Sequence, residues 1–379
     1  MTIVLSGGTV IDPGSGRREI ADVLITGDRV TSIGKDLDRS DARVIDCAGR
    51  YVTPGLVEAH SHIFQHVSTV GAPAEEAHFR RGVVAVAEAG TAGASTFAAF
   101  RHFVVEPAPF RILNWLNVSV LGLLDMRFGE LINPDLLVAK DTIAVARANP
   151  DIVRGLKIRL GSETVGPNCL RLLAEAVRVG EQAGLPLMVH IGETGPTLPE
   201  ILQLLRAGDV VSHCYTGKEH GILDEHGALL DAVIAARARG VLFDSAHGMT
   251  NLSFNTARRA IGLGFLPDVI SSDTSLRNWR GPVFDLVTTM SKVLTLGVGL
   301  DDILQCTTVA PARLLGLDRE GYGALRVGGP AHVTVLEILE GDVTFTDGTG
   351  AKLQGTRRIE PTLSVVGGTV VMPVAWRGA

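Results

Sequence analysis

Tyr51-Val-Thr-Pro-Gly-Leu-Val-Glu-Ala-His-Ser-His62 is the stretch on which the reading of the chain turns. Its apolar and β-branched residues, interrupted by Pro54-Gly55, predict a buried strand whose carboxyl end carries His60 and His62. Side chains alternate along a strand, so the two imidazoles point to one side, about 7 Å apart along the backbone. Converging there, they could hold one metal ion. Taken alone, such a pair is more often two surface histidines at a strand end, and the rest of the chain has to decide.

Downstream, the texture is strand then helix. Eight short apolar runs read as strands: 52–59, 94–100, 117–123, 153–160, 185–191, 209–213, 240–245 and 268–273. Amphipathic stretches such as 170–183 and 229–239 lie between them. Alternation of nearly continuous apolar strands with helices predicts an α/β fold with a parallel sheet, and eight units point to a closed (β/α)8 TIM barrel over 52–324. A doubly wound open sheet is the alternative. The most apolar window, 83–100, is broken by Glu88, two glycines and hydroxyl residues, so it reads as helix, turn and strand and not as a membrane span.

Both ends have a different character. Runs such as Ile3-Val-Leu5, Ala21-Asp-Val-Leu-Ile25 and Arg29-Val-Thr-Ser-Ile33, set apart by Asp12-Pro-Gly14 and Gly27-Asp28, predict antiparallel hairpins. The last fifty residues repeat that pattern. Neither end has enough strands for a secure core alone, so the two are expected to pair as one small discontinuous β-sandwich domain, 1–51 with 325–379.

A net charge of −6 over 379 residues, with no basic run longer than two residues, leaves no electrostatic footprint for nucleic acid or an anionic membrane. The expected partner is a small-molecule substrate, with a homo-oligomer left open. Cys47, Cys169, Cys214 and Cys306 form no Cys-x-x-Cys pair, and the amino terminus has no signal-like pattern, so the expected location is cytoplasmic.

In a parallel barrel the chemistry gathers at the carboxyl ends of the strands. Those ends carry His60 and His62 on the first strand, Lys157 on the fourth, His190 on the fifth, His213 on the sixth, His247 after the seventh and Asp273 on the eighth. Each residue alone has a dull explanation: a surface lysine, a hydrogen-bonded core histidine, a helix cap. Together they suit zinc or a related divalent ion, because independent core histidines have no reason to share one end of one sheet. An ammonium repels a cation, whereas a lysine carboxylated by CO2 presents two oxygens, enough to bridge two ions roughly 3.5 to 4 Å apart.

These residues carry a resemblance that spans essentially the whole chain. It runs through Gly7-Gly-Thr-Val-Ile-Asp-Pro13, Pro54-Gly-Leu-Val-Glu-Ala-His-Ser-His62, Gly155-Leu-Lys-Ile-Arg159, Leu187-Met-Val-His-Ile-Gly192, Val210-Val-Ser-His-Cys-Tyr215, Val241-Leu-Phe-Asp-Ser-Ala-His-Gly248, Val269-Ile-Ser-Ser-Asp273 and Gly281-Pro-Val-Phe-Asp-Leu-Val-Thr-Thr-Met-Ser-Lys292. The sequence resembles the amidohydrolase superfamily, and within it the dihydroorotase-like amidohydrolase/deacetylase metallohydrolases. The resemblance implies two divalent metal ions: His60, His62 and Asp273 on the more buried, His190 and His213 on the more exposed, with carboxylated Lys157 bridging them. It also implies a hydroxide nucleophile, with catalytic Asp273 taking its proton and passing it to the leaving group.

The chain departs from the family pattern at Glu58, where many members have Asp, and at Thr274-Ser275, where no histidine follows Asp273. Glu58 alternates to the face of His60 and is expected either to orient an imidazole or to lie beneath the site. His190-Ile-Gly-Glu193 resembles the His-x-x-Glu of single-metal deaminases in the same superfamily, although those do not need the lysine. The preferred reading is deacylation of a carboxylate-bearing N-acyl amino acid or O-acyl hydroxy acid. Opening of a cyclic amide, as by a dihydroorotase or hydantoinase, is the alternative, then a deaminase, then a catalytically dead barrel. Candidate substrate contacts are Arg101, His102, Tyr215, His247, Asn251, Arg277 and Asn278, an arginine among them being suited to a substrate carboxylate.

Overall fold

The computed structural model describes residues 2–376 and 378. Its chain opens with β1 (Thr2–Asp12), β2 (Arg17–Thr26) and β3 (Arg29–Gly34), an antiparallel meander. Asp12 makes the first turn, accepting from Gly14 N at 3.0 Å and from Ser15 Oγ at 2.8 Å. Strand β1 then pairs in parallel with β4 (Arg43–Asp46) and with β5 (Tyr51–Pro54).

The decisive stretch forms two strands, not one. β5 belongs to the terminal sheet, and β6 (Leu56–Ser61) begins a second, parallel sheet. The break falls at Gly55, where a Cβ would lie 2.4 Å from Val84 Cγ2, so only glycine lets the chain pass between the sheets.

The parallel sheet continues with β7 (Val83–Gly93), β8 (Arg111–Asn117), β9 (Val153–Arg159), β10 (Leu187–His190), β11 (Val210–Ser212) and β12 (Leu242–Asp244), in the spatial order of the sequence. The fourth to seventh predicted strands fall here within a few residues. Two others are displaced: 94–100 was expected where β7 has already ended and Phe97–Phe100 is helical, and 117–123 begins where β8 stops. Every residue of β7 is buried, so no alternation marks it as a strand and its alanines read as helix. The eighth, 268–273, is not a regular strand. It makes one parallel bridge to each edge of the sheet, Asp244–Val269 and Ser61–Thr274, and Asp273 N donates to His60 O at 2.8 Å.

The chain ends in β13 (His332–Thr346), β14 (Lys352–Val366) and β15 (Thr369–Val371). β13 pairs with β5, so strands from both ends of the chain share one eight-stranded sheet in the order β15-β14-β13-β5-β1-β2-β3, with β4 beside β1. Its core holds Ile3, Leu5, Val23, Val333 and Val365. The parallel sheet has two cores on alternate residues of the same strands. Leu116, Leu156 and Val189 pack with Leu172 and Leu173 of the helix Cys169–Ala183, whereas Val57, Ala59, Leu113, Trp115 and Met188 pack with one another. Trp115 Nε1 donates to Ala59 O at 3.0 Å, and Gly155 leaves room for the ring. No helix of the described residues is long and apolar enough to cross a membrane.

Candidate metal centre

His60 and His62, at the end of β6, point the same way, and both are buried. Asp273 meets them from the segment that joins the sheet edges, its carboxylate aimed inward by a backbone φ of +50°, in the left-handed region. Asp273 Oδ1 is 3.1 Å from His62 Nε2 and 3.6 Å from His60 Nε2, and one ligand atom from each residue lies within 4.8 Å of the others. That carboxylate oxygen is buried and has no hydrogen-bond partner of good geometry among the described residues. Two imidazole nitrogens and a bare carboxylate oxygen are a donor set that fits a zinc-like divalent ion.

The far side of each ring is tied. His60 Nδ1 is 3.2 Å from Asp244 Oδ2, His62 Nδ1 is 2.9 Å from Thr91 Oγ1 and 3.7 Å from Glu88 Oε1, and His213 Nδ1 is 2.7 Å from Ala246 O. With Nδ1 donating in each case, Nε2 keeps its lone pair for a cation. Asp244 is itself held by Ser271 Oγ at 2.6 Å, and Glu88 by Thr91 N and Asn114 Nδ2, both at 2.7 Å. Asp244 and Glu88 were not picked out in the sequence. Asp244 did carry a signal, an acid ending an apolar strand, whereas Glu88 appears only as an interruption in an apolar run.

Lys157 is almost fully buried, with Nζ 3.3 Å from His60 Nε2 and 3.4 Å from Ser212 Oγ. Burial pushes its ammonium down to about 8. His190 and His213 complete the group, with ring centroids 4.3 Å apart, and His213 lies 5.4 Å from His60. His213, like Asp273, sits at positive φ, +69°, so two of the converging side chains stand on strained backbone. Glu193 Oε1 is 3.2 Å from His190 Nε2 and is also paired with Lys218 Nζ.

Burial drives His190 and His213 well below the ordinary histidine range and lowers His60, which leaves all three as neutral ligands. His62 is raised instead: burial works against its charge, but the Asp273 and Glu88 carboxylates outweigh it. For Asp273 burial opposes ionisation, yet the His60 and His62 imidazoles prevail and hold its carboxyl well below the usual range. Glu58 is fully buried and pushed up by burial to about 8. Its carboxyl accepts from His60 N and Ser272 N, both at 3.1 Å, and from Ser272 Oγ, so it fastens the joining segment to β6 and, among the described residues, makes no hydrogen bond to an imidazole.

A cavity of about 90 Å³ opens onto His60, His62, Lys157, His190, Glu193 and Asp273. Of the residues expected to contact substrate, Asn251, Arg277 and Asn278 line it, and Asn278 Nδ2 holds Asp273 O at 2.9 Å. Four do not. Arg101 pairs with Asp151 at 3.0 Å and His102 with Glu106 at 3.1 Å, both on the surface, because β7 ends at Gly93 and these residues fall in the helical segment Arg101–Val105 beyond it. Tyr215 is buried, its hydroxyl donating at 2.9 Å to Phe265 O, just beyond the helix Phe254–Gly262. His247 is buried against Lys292. Arg159, not singled out in the sequence, lines the cavity two residues beyond Lys157 on β9, a spacing that puts both on one face.

No protein-family model matches the chain. It is 31% identical over 353 residues to a deacetylase from Agrobacterium fabrum, covering 92% of this chain and 86% of that one. A deacetylase from Enterococcus faecalis is 33% identical over 325 residues, 85% of this chain and 87% of that one. Among solved structures, a dihydroorotase superposes with a TM-score of 0.92 at 29% identity, over 100% of this chain and 99% of that one. An adenine deaminase superposes with a TM-score of 0.90 at 30% identity, over 98% and 99%. Likeness of this extent, in sequence and in fold together, means that the chain belongs to the amidohydrolase superfamily and is one of its hydrolytic enzymes.

Proposed function

We propose that the chain is a binuclear metal-dependent hydrolase that cleaves the ester or amide bond of a small carboxylate-bearing acylated amino or hydroxy acid. The carrying observation is the convergence of His60, His62, Lys157, His190 and Asp273 on one cavity, with His213 packed against His60 and His190 beside it, and likeness to deacetylases along most of the chain supports the deacylase reading. The finer architecture in this reading is an eight-unit barrel, 52–324, closed through the 268–274 segment, with a small domain from 1–51 and 325–379. Buried free thiols at all four cysteines support a cytoplasmic location.

His60 and His62 with Asp273 form one ligand set, and His190 with His213 the other. Lys157, once carboxylated by CO2, would complete both sets with its two oxygens. Two zinc ions held there would supply Lewis acidity towards a carbonyl and bring the pKa of water close to neutrality. Asp273 is the proton carrier. Gly248 keeps its Oδ2 accessible, since a Cβ at that glycine would lie 2.5 Å from it. Asp273 Oδ2 takes a proton from the attacking water and returns it to the departing nitrogen or oxygen. Asn278 holds the backbone of Asp273 in the orientation this needs.

A second reading, opening of a cyclic amide, is favoured by the close superposition on a dihydroorotase. The test is metal content by elemental mass spectrometry on protein produced with zinc and bicarbonate, followed by assay on N-acyl amino acids, O-acyl hydroxy acids and cyclic imides. Near two equivalents of metal with deacylation is the expected result. Near one equivalent would raise Glu193 to a proton shuttle and overturn the binuclear reading in favour of a deaminase.

A further inference from the structure

We propose that Arg159 receives the carboxylate of the substrate and thereby makes the enzyme prefer acylated acids to their neutral counterparts. This rests on the deacylase reading and deepens it by assigning the carboxylate to one side chain. Arg159 lines the same cavity as His60, His62, Lys157 and Asp273, and its side chain is only 12% exposed. From the last residue of β9 it shares a face with Lys157, about 7 Å further along the strand. A carboxylate one or two bonds from the scissile group would span that offset, which points to α-acylamino and α-acyloxy acids.

The guanidinium is held ready but only partly used. Its hydrogen bonds among the described residues leave from Nη1, to Glu130 Oε1 at 3.1 Å and to Met126 Sδ at 3.5 Å. The edge formed by Nη2 and Nε is left for a bidentate partner, the geometry in which arginine recognises a carboxylate best. Glu130 is itself buried, and its Oε2 has no hydrogen-bond partner among the described residues. It anchors one end of the fork without consuming the other. Arg277 also lines the cavity, but it is exposed on the rim, where solvent weakens any ion pair it makes. A desolvated, pre-oriented cation beside the ligand cluster is the better receptor.

The test compares matched substrates on the zinc-loaded enzyme and its Arg159→Met, Arg159→Lys and Arg277→Met variants: N-acetyl amino acids against their primary amides, and O-acetyl-lactate against O-acetyl-lactamide. The wild type is expected to favour the acids on the order of 100-fold in kcat/KM, the discrimination a buried charge-paired contact supports. In Arg159→Met that ratio should fall towards one, mainly through KM for the acids, with Arg159→Lys intermediate and Arg277→Met keeping the preference. An unchanged ratio in Arg159→Met, or its collapse only in Arg277→Met, overturns the proposal. Should Arg159→Met fail to fold, the ratio in Arg159→Lys decides: a fall of at least several-fold supports the assignment and wild-type discrimination rejects it. Should no substrate be hydrolysed, the deacylase reading fails by itself, and calorimetric titration with N-acetylglycine and N-acetylglycinamide still reports on Arg159. Selective binding of the acid by the wild type, lost in the variant, supports the assignment; equal binding by both proteins rejects it.

Discussion

Lys292 Nζ lies 2.7 Å from His247 Nε2, and neither residue is exposed. His247 Nδ1 is 2.8 Å from Gly248 O, so Nε2 is the accepting nitrogen. Lys292 also donates to Pro282 O at 2.7 Å and to Thr346 O at 2.9 Å. A single ammonium on the helix Leu286–Thr295 thus ties the loop after β12, the loop that follows Asn278 and the end of β13. Burial pushes Lys292 down to about 7, and three acceptors hold its three protons. Lys292→Met would leave three buried acceptors unpaired, and the expected loss is about 3 kcal/mol or more. A urea titration showing wild-type stability would mean that water replaces the ammonium at no cost.

Lys157 is the residue on which the two-metal reading depends. Lys157→Ala should lose most of its bound metal and nearly all hydrolytic activity, with no comparable loss of secondary structure. Full metal content and full activity in the variant would rule out bridging. The measurement is elemental mass spectrometry on the same preparations as the kinetics.

Gly90 makes room for that lysine. Its φ is +88°, and a Cβ would stand 2.6 Å from Lys157 Cγ. Gly90→Ala therefore combines backbone strain with displacement of Lys157, at a cost of about 2 kcal/mol or more. The variant should melt lower and bind less metal. Wild-type metal content in a folded Gly90→Ala protein would show that Lys157 can move without consequence.

His78 makes the stability pH-dependent. It is fully buried, its Nε2 is 2.7 Å from Ser61 Oγ, its Nδ1 has no hydrogen-bond partner among the described residues, and burial pushes the imidazole down to about 4. Unfolded, the ring takes a proton near pH 6.5. Between pH 6.5 and 4 the unfolded chain thus holds a proton that the native state refuses, and stability falls as the pH is lowered through that window, by ~3 kcal/mol in all. Above pH 6.5 the contribution is complete. Urea midpoints at pH 7, 5.5 and 4.5 for the wild type and His78→Leu should converge towards the acid side, and parallel pH profiles would refute the assignment.

Much of the site could be read locally. His60 and His62 share a face because a strand alternates with a period of two, and the fourth to seventh strands stood out because each apolar run ends in a polar residue. Where that local signal was missing, the reading slipped. β7 is buried on both faces, so its end was placed too late, and Arg101 and His102 were assigned to a cavity they do not reach. Tyr215 and His247 follow strands, as catalytic residues often do, yet both turn into the protein.

The amino-acid sequence by itself determined the alternation of strand and helix, the hairpins at both ends, and which side chains stand at strand ends, because each depends on neighbours a few residues apart. The tertiary structure alone decided that Asp244 and Glu88 hold the imidazoles, that Gly55 divides one apolar run between two sheets, and that Arg159 rather than Arg101 reaches the cavity. Those relationships join residues tens to hundreds of positions apart. They are set by how strands curl and pack, which no local pattern encodes.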